Sequence, residues 1–527
     1  MGLTRPADLT RWTAALIVGA PVIVAVLGGV LLGGGDAWQH VVETRLATYS
    51  VNTILTLCLV ATLCLITAVP AAWLVTTAQF PGRSVFDWAL VLPLAAPGYV
   101  VAFAYADLFG VAGPLQSALR EATGLSARDY WFPSMSSLPG LAFVLSAGLF
   151  PYVYLTARAA FTSQSICALE AARSLGADTR RAFTAIALPG ARPAIAAGLS
   201  LALMEAAADY GAADFLGVQT LTVGLVRTWS SFGDAAAAAR IAIVLIAIAL
   251  AFQWIERRHR SGQGVQASSA RWRAQVRDEL HGPAAWLATA FCAGLLIWGF
   301  ALPIGRLIWI AVEAQEIIAP VGEALRNSVL LGLMGAAAGL ALAALVALGQ
   351  RGSIAEVSAR AAASAGYATP GAVLAVGALI VVSLTPLTLT GAAGVAILVW
   401  VYASRFTAAG AEPIQTALDR APRSLGDAAR SLGAGPVRKL KTVDLPVALP
   451  GALVGALILF VETLKELPAT LMLRPFNWDT LAVRAYGYAS DDRLAAAALP
   501  SVLITIAGLG PILILCWRLS RARPGHS

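Results

Sequence analysis

Long uncharged apolar runs alternate with short polar segments along the whole chain. Residues 283–305 carry no charge, and 241–255 are equally clean. A membrane-spanning helix needs about 20 such residues, whereas a barrel strand alternates apolar and polar positions over about ten. The runs do not alternate, so they are read as helices. Comparable stretches lie near 13–34, 51–78, 87–112, 137–158, 193–212, 237–255, 284–311, 327–349, 364–386, 390–410, 449–467 and 494–517, about twelve in all. The first follows Arg5 and Arg11 as a signal peptide would, yet its apolar part is longer than an h-region and no small-x-small cleavage site follows. It is expected to stay as a helix.

Composition supports the same class. Of 527 residues, 58% are hydrophobic and 13% charged, and the mean hydropathy is +0.75. A soluble globule carries about 25% charged residues, so this chain has too little polar surface for water. Disorder, collagen, a coiled coil and a disulfide-stapled domain are excluded by the apolar content, the lack of a G-x-y period and a cysteine count of five. Lys and Arg collect in alternate loops: Arg83; Arg173, Arg180, Arg181 and Arg192; the basic residues of 256–282; Arg438, Lys439 and Lys441; and Arg518, Arg521 and Arg523. The positive-inside rule then places both termini in the cytoplasm. The net charge of +8 is spread over these loops rather than gathered into an aromatic-lined stripe, so topology explains it and nucleic acid is not an expected partner.

The chain contains itself twice. Glu170 and Asp427, Pro189 and Pro446, and Glu205 and Glu462 are each 257 positions apart, and the run 171–177 recurs unchanged. Asn52-Thr53-Ile54-Leu55 is similar to Asn327-Ser328-Val329-Leu330, and Ala96-Pro97-Gly98 to Thr369-Pro370-Gly371. The division expected is a six-helix half over 1–256, a hydrophilic cytoplasmic linker over 257–282, and a second half over 283–527. An even helix count makes the halves insert in the same direction, related by a pseudo-two-fold axis along the membrane normal. The fold class is all-α, a membrane protein of two tandem pseudo-symmetric halves.

Within the repeat, residues 168–190 and 425–447 carry one pattern. It reads Glu170-Ala171-Ala172, Gly176 and Leu188-Pro189 in the first copy, and Asp427-Ala428-Ala429, Gly433 and Leu445-Pro446 in the second. Small Ala residues allow close approach to a partner, Gly can end a helix in a left-handed conformation, and Pro suits the start of the next. The pattern resembles the EAA loop of permease subunits of bacterial ATP-binding-cassette (ABC) importers, in which a short cytoplasmic helix docks on the ATPase. Asp427 departs from the usual Glu but keeps the charge. The stretch from Lys465-Glu466-Leu467-Pro468 to Asp479-Thr480-Leu481-Ala482, with Asp209-Tyr210-Gly211 and Phe215-Leu216-Gly217-Val218-Gln219-Thr220, resembles the fused iron(III) permeases of the inner membrane. The resemblance covers nearly the whole chain. It implies two copies of a separate ATPase, a periplasmic binding protein and iron(III) as cargo, with thiamine or a phosphonate as alternatives carried by related permeases.

An absence assigns the energy supply. The only lysines are Lys439, Lys441 and Lys465, and none follows a glycine, so no phosphate-binding G-x-x-x-x-G-K-[ST] loop can form. ATP and Mg are expected in the partner ATPase, and this chain is a transport subunit rather than an enzyme. An ion-coupled secondary transporter, the alternative from another class, has no use for paired docking loops. The expected mechanism is alternating access driven through both EAA helices.

Charges inside spans are costly and mark candidate sites. Glu205 and Asp209, and Glu462 and Glu466, lie four apart in equivalent spans, which would place each pair on one helix face. Four carboxylates facing a shared axis would suit a cation. The bland alternative puts them at helix ends, with Lys465 neutralising Glu462, and Asp107 reads as an internally bonded helix residue. The four histidines and five cysteines have no ligand spacing, so neither a metal site nor a bound cofactor is expected in this chain.

Overall fold

The computed structural model describes residues 6–33, 35–163, 178–260, 277–314, 321–348 and 353–521. The described residues are helical almost throughout. Among the described residues the one strand pairing joins Ala78–Gln79 to Asp278–Glu279 in parallel. Ten helices are long and apolar enough to cross a membrane, a bent pair brings the number to eleven, and the shorter apolar helix Ala235–Ala251 occupies the remaining expected stretch.

The stretch near 364–386 is not one straight span. It divides into Ile354–Ala368 and Gly371–Leu384, bent by 109°. Pro370 forces the break: it lacks an N–H, and its ring pushes Thr369 to an extended φ of -89° and ψ of 130°. The stretch near 87–112 breaks likewise into Arg83–Ala89, a 3₁₀ turn at Leu92–Ala95, and Gly98–Phe109, with Ala96 extended before Pro97. The two Pro-Gly pairs therefore begin new helices rather than kink continuous ones.

A second proline effect recurs three times. π-Turns at Phe183–Ala187, Ile297–Ala301 and Leu440–Asp444 each lie directly before a Leu-Pro dipeptide, and Leu188, Leu302 and Leu445 donate five residues back. A proline inside a helix offers no N–H and crowds the carbonyl four residues earlier. The widened turn relieves that crowding.

Cα packing divides the chain into two compact units: residues 1–47, 221–245 and 316–491 in one, and 48–220, 246–315 and 492–527 in the other. Each thus combines the centre of one repeat with end segments of the other. In the first, Pro6–Leu31 packs on the bent pair. Gly377 lets the Pro21 backbone approach, and Gly28 receives Ile380. Pro21 leaves the Ile17 carbonyl without its helical donor, and Trp400 Nε1 (2.9 Å) and Ser404 Oγ (3.3 Å) donate to it instead. In the second unit, Leu302–Glu313 packs on Leu494–Arg521 and on Gly98–Phe109. There Tyr105 donates to the Trp298 carbonyl at 2.6 Å, inside the π-turn before Pro303. Asp107, expected to bond within its own helix, instead pairs with Arg306 at 2.6 Å.

Candidate functional site

The second repeat's loop shows its geometry in full. Helix Arg423–Ser431 starts after Pro422 and carries Asp427, Ala428 and Ala429. Its end is closed by Gly433, at φ 75°. Gly433 N–H donates to the Arg430 carbonyl and Ala434 N–H to that of Ala429, both at 3.0 Å, the paired bonds of a Schellman cap. Only glycine adopts that conformation without cost, so the sequence pattern has a backbone cause here. Asp427 is exposed and pairs with Arg430 at 2.6 Å. Leu425, Leu432 and Val437 are exposed on the same short segment, Leu432 at 84%. Unpartnered leucine and valine among Arg430, Arg438 and Lys441 form a surface suited to a protein with an acidic rim.

In the first repeat, Glu170, Ala171, Ala172 and Gly176 lie outside the described residues, while Leu188 and Pro189 directly follow the π-turn Phe183–Ala187. The Leu-Pro of each loop differs from expectation. Helix runs unbroken through Thr179–Ala182, the π-turn and Leu188–Ala208, and likewise from Pro436 through Leu445–Lys465, so Pro189 and Pro446 sit inside helices. In the second repeat Lys439 Nζ bonds both oxygens of Asp444 at 2.8 Å, stapling the π-turn.

The four carboxylates separate into two kinds. Glu205 and Glu462 lie in the last turns of their spans and are partly exposed; Lys465 Nζ approaches Glu462 at 3.8 Å. Asp209 and Glu466 do not share their helical faces, because the helices end at Ala208 and Lys465 and both residues are extended, at ψ 119° and 123°. Each caps the short helix that follows. Asp209 Oδ1 accepts from the N–H groups of Ala212 (2.8 Å) and Ala213 (3.3 Å). Glu466 accepts from those of Ala469 (3.1 Å) and Thr470 (2.9 Å), the positions 257 further on. The Glu466 side chain is fully buried, takes a further bond from Thr470 Oγ and pairs with Arg405 at 2.9 Å.

The Pro-Gly pairs meet these caps. A Cβ on Gly98 would stand 2.8 Å from Asp209 Oδ2, and one on Gly371 would collide with Glu466 Oε1 and Arg405 Nη1. Glycine is required because the helix start presses on the carboxylate. The repeated asparagines hold the turn that follows each short helix. Asn52 Nδ2 donates to the Gln219 carbonyl at 2.9 Å, and Asn327 Nδ2 to those of Asn477 (3.1 Å) and Asp479 (3.2 Å). The turns they hold contain Gly217 at φ 71° and Asn477 at φ 65°, and asparagine is the side chain that best tolerates that region. Arg405 was invisible to the repeat comparison because its helix partner in the first repeat carries no charge. The asparagines were visible as repeats, but their role needed the fold. No group of three or more His, Cys, Asp or Glu side chains lies together among the described residues.

Residues 45–261 match the family described as binding-protein-dependent transport system inner membrane component. The Fe(3+)-transport system permease protein FbpB 2 of Haemophilus influenzae is 22% identical over 94% of both chains. The probable ABC transporter permease protein y4fN of Sinorhizobium fredii is 25% identical, over 85% of this chain and 83% of its own. The molybdenum transport system permease protein ModB of Escherichia coli is 28% identical, over 36% of this chain and 86% of its own.

Proposed function

Because this chain is a fused two-half permease of the ABC importers, we propose that it carries iron(III) from a periplasmic binding protein into the cytoplasm, driven by two copies of a separate ATPase. The observation that carries the cargo is the end-to-end similarity to an Fe(3+) permease, which aligns both halves in one chain, whereas the molybdenum permease aligns with about a third of it. The acidic pair Glu205 and Glu462 agrees in sign with a cation. In this reading both chain ends and both EAA loops face the cytoplasm.

Coupling runs through the loops. Leu425, Leu432 and Val437 enter an ATPase groove, the Schellman cap holds their helix at a set angle, and the unbroken helix beyond carries the motion to Glu462, one turn before the break. The stapled π-turn stiffens that connection in the second repeat. Glu205 and Glu462 face the ion, while Asp209 and Glu466 hold the helix breaks. A carboxylate that already accepts from two backbone N–H groups has less capacity left for cargo.

Reconstitution in proteoliposomes with the ATPase and binding protein tests this. Labelled ferric iron should enter on ATP addition, and thiamine, a phosphonate and molybdate should not. ATP-dependent uptake of one of those in place of iron would overturn the cargo and leave the permease standing.

A further inference from the structure

The two helix breaks are built alike but filled differently. Beside the first lies a cavity with about 10 Å³ for the centre of a water molecule, lined by Thr53, Thr56 and Thr220 and by Ala206, Ala207 and Ala213. Thr53, Thr62, Thr67, Thr76 and Thr77 of helix Leu46–Thr77 all turn their hydroxyls back onto helix carbonyls. Thr56 does not: its hydroxyl is buried without a protein partner, and Thr56 is one of the residues that line the cavity. A buried hydroxyl left unsatisfied is penalised, so a partner is favoured there. A cavity of this size with two or more polar neighbours meets the requirements for a bound water.

The second repeat has filled the same place. In the register that matches Asn52 to Asn327, Thr56 corresponds to Leu331, which is buried. At the spacing of 257, Ala206, Ala207 and Ala213 correspond to Thr463, Leu464 and Thr470. Each is larger, and Thr470 is also bonded to Tyr402 at 2.6 Å. Arg405 has no charged counterpart. Gly198 packs on the backbone of Tyr152 and Val153, and Gly455 on that of Gly410, a register that sets Arg405 opposite Ala147 or Gly148. The second break is therefore held by an ion pair and close packing, and the first by two N–H bonds to one oxygen beside a polar cavity.

We propose that the first repeat binds one internal water at its helix break, hydrogen-bonded to Thr56, and that this break is the one that rearranges when the partner ATPase binds ATP. The water accepts from Thr56, and Thr53 and Thr220 line the same cavity. A water can follow or leave a moving helix end, whereas the buried Arg405–Glu466 pair resists separation, because either charge left alone is heavily penalised.

Hydroxyl-radical labelling of the permease–ATPase complex in nanodiscs tests both parts and does not depend on the cargo. Radicals form from water, and Leu57, Leu141 and Leu145, which line the cavity, are shielded from bulk solvent. These leucines should be oxidised in the ATP-free complex, while buried Leu331 and Leu464 are not. Vanadate trapping with ATP should change labelling at the first set alone. Thr56→Leu should abolish it at Leu57 and Leu145 while the melting temperature holds; Ala207→Leu fills the same space if that variant fails to insert. Silent leucines in the parent, or labelling that survives filling of the cavity, would overturn the water. Identical labelling in both nucleotide states would overturn the rearrangement.

Discussion

Glu466 and Arg405 form an ion pair of 2.9 Å whose carboxylate is fully buried, and the same carboxylate caps the helix that begins at Pro468. A charge so committed is a structural element of the break. Removing its charge and removing that of Glu462 should therefore have opposite signatures. Glu466→Gln leaves Arg405 buried without a counter-charge and should lower stability by about 3–5 kcal/mol, read as a fall in melting temperature in detergent. Glu462→Gln should leave the melting temperature near that of the parent and reduce uptake. Equal melting temperatures for the two variants would refute this division of roles.

Gly371→Ala places a methyl group where Glu466 and Arg405 already stand. Overpacking of a tight site costs about 1–3 kcal/mol. Gly98→Ala meets Asp209 Oδ2 at 2.8 Å, a milder approach, and no arginine. Thermal unfolding should rank Gly371→Ala as the more damaging of the two; the reverse order would contradict the unequal packing of the repeats.

At Gly433, φ 75° is the difficulty rather than space, since a Cβ there meets nothing within 4 Å. A β-branched residue in that conformation costs about 1–3 kcal/mol locally, and the exposed helix should fray or reorient. Gly433→Val should insert normally, yet bind the ATPase weakly and transport slowly. Full ATPase affinity in pull-down would detach the Schellman cap from coupling.

Loss of the asparagine clamp should be felt in both repeats. Asn327→Ala removes the donor to two carbonyls and Asn52→Ala the donor to one, and each part-buried hydrogen bond lost is worth about 0.5–1.5 kcal/mol. Limited proteolysis within 474–480 should accelerate in Asn327→Ala. Unchanged cleavage would show that the turn stands without its clamp.

Orientation is checked by single cysteines at Ser174, Ser268 and Ser431 in a background cleared of native cysteines. All three should resist an impermeant thiol reagent in intact cells and react in inverted vesicles. Labelling from outside would reverse the topology and remove the cytoplasmic ATPase from the loops.

The helices, their approximate number, the duplication and the EAA pattern were all legible in the amino-acid order. The physical reason is that each is a local or repeated signal: an apolar run long enough to span lipid, a glycine needing positive φ twelve positions before a Leu-Pro, a match at constant spacing. Proline effects were legible only in part. The Pro-Gly pairs were visible as a repeated feature, but the π-turn before each Leu-Pro follows from whether helix continues on both sides, which neighbouring packing decides. Tertiary structure alone brought Arg405 to Glu466 across 61 positions, tied Asn327 to Asp479 across 152, and joined Pro6–Leu31 to the bent pair of the other repeat. Such pairings are set by which helix faces meet once apolar area and unsatisfied carbonyls are buried together, and no periodicity along the chain encodes that choice. For the same reason four carboxylates with identical spacing became two partly exposed acids and two helix caps: the helix ended one residue before Asp209 and Glu466, where the fold supplied N–H groups for them to hold.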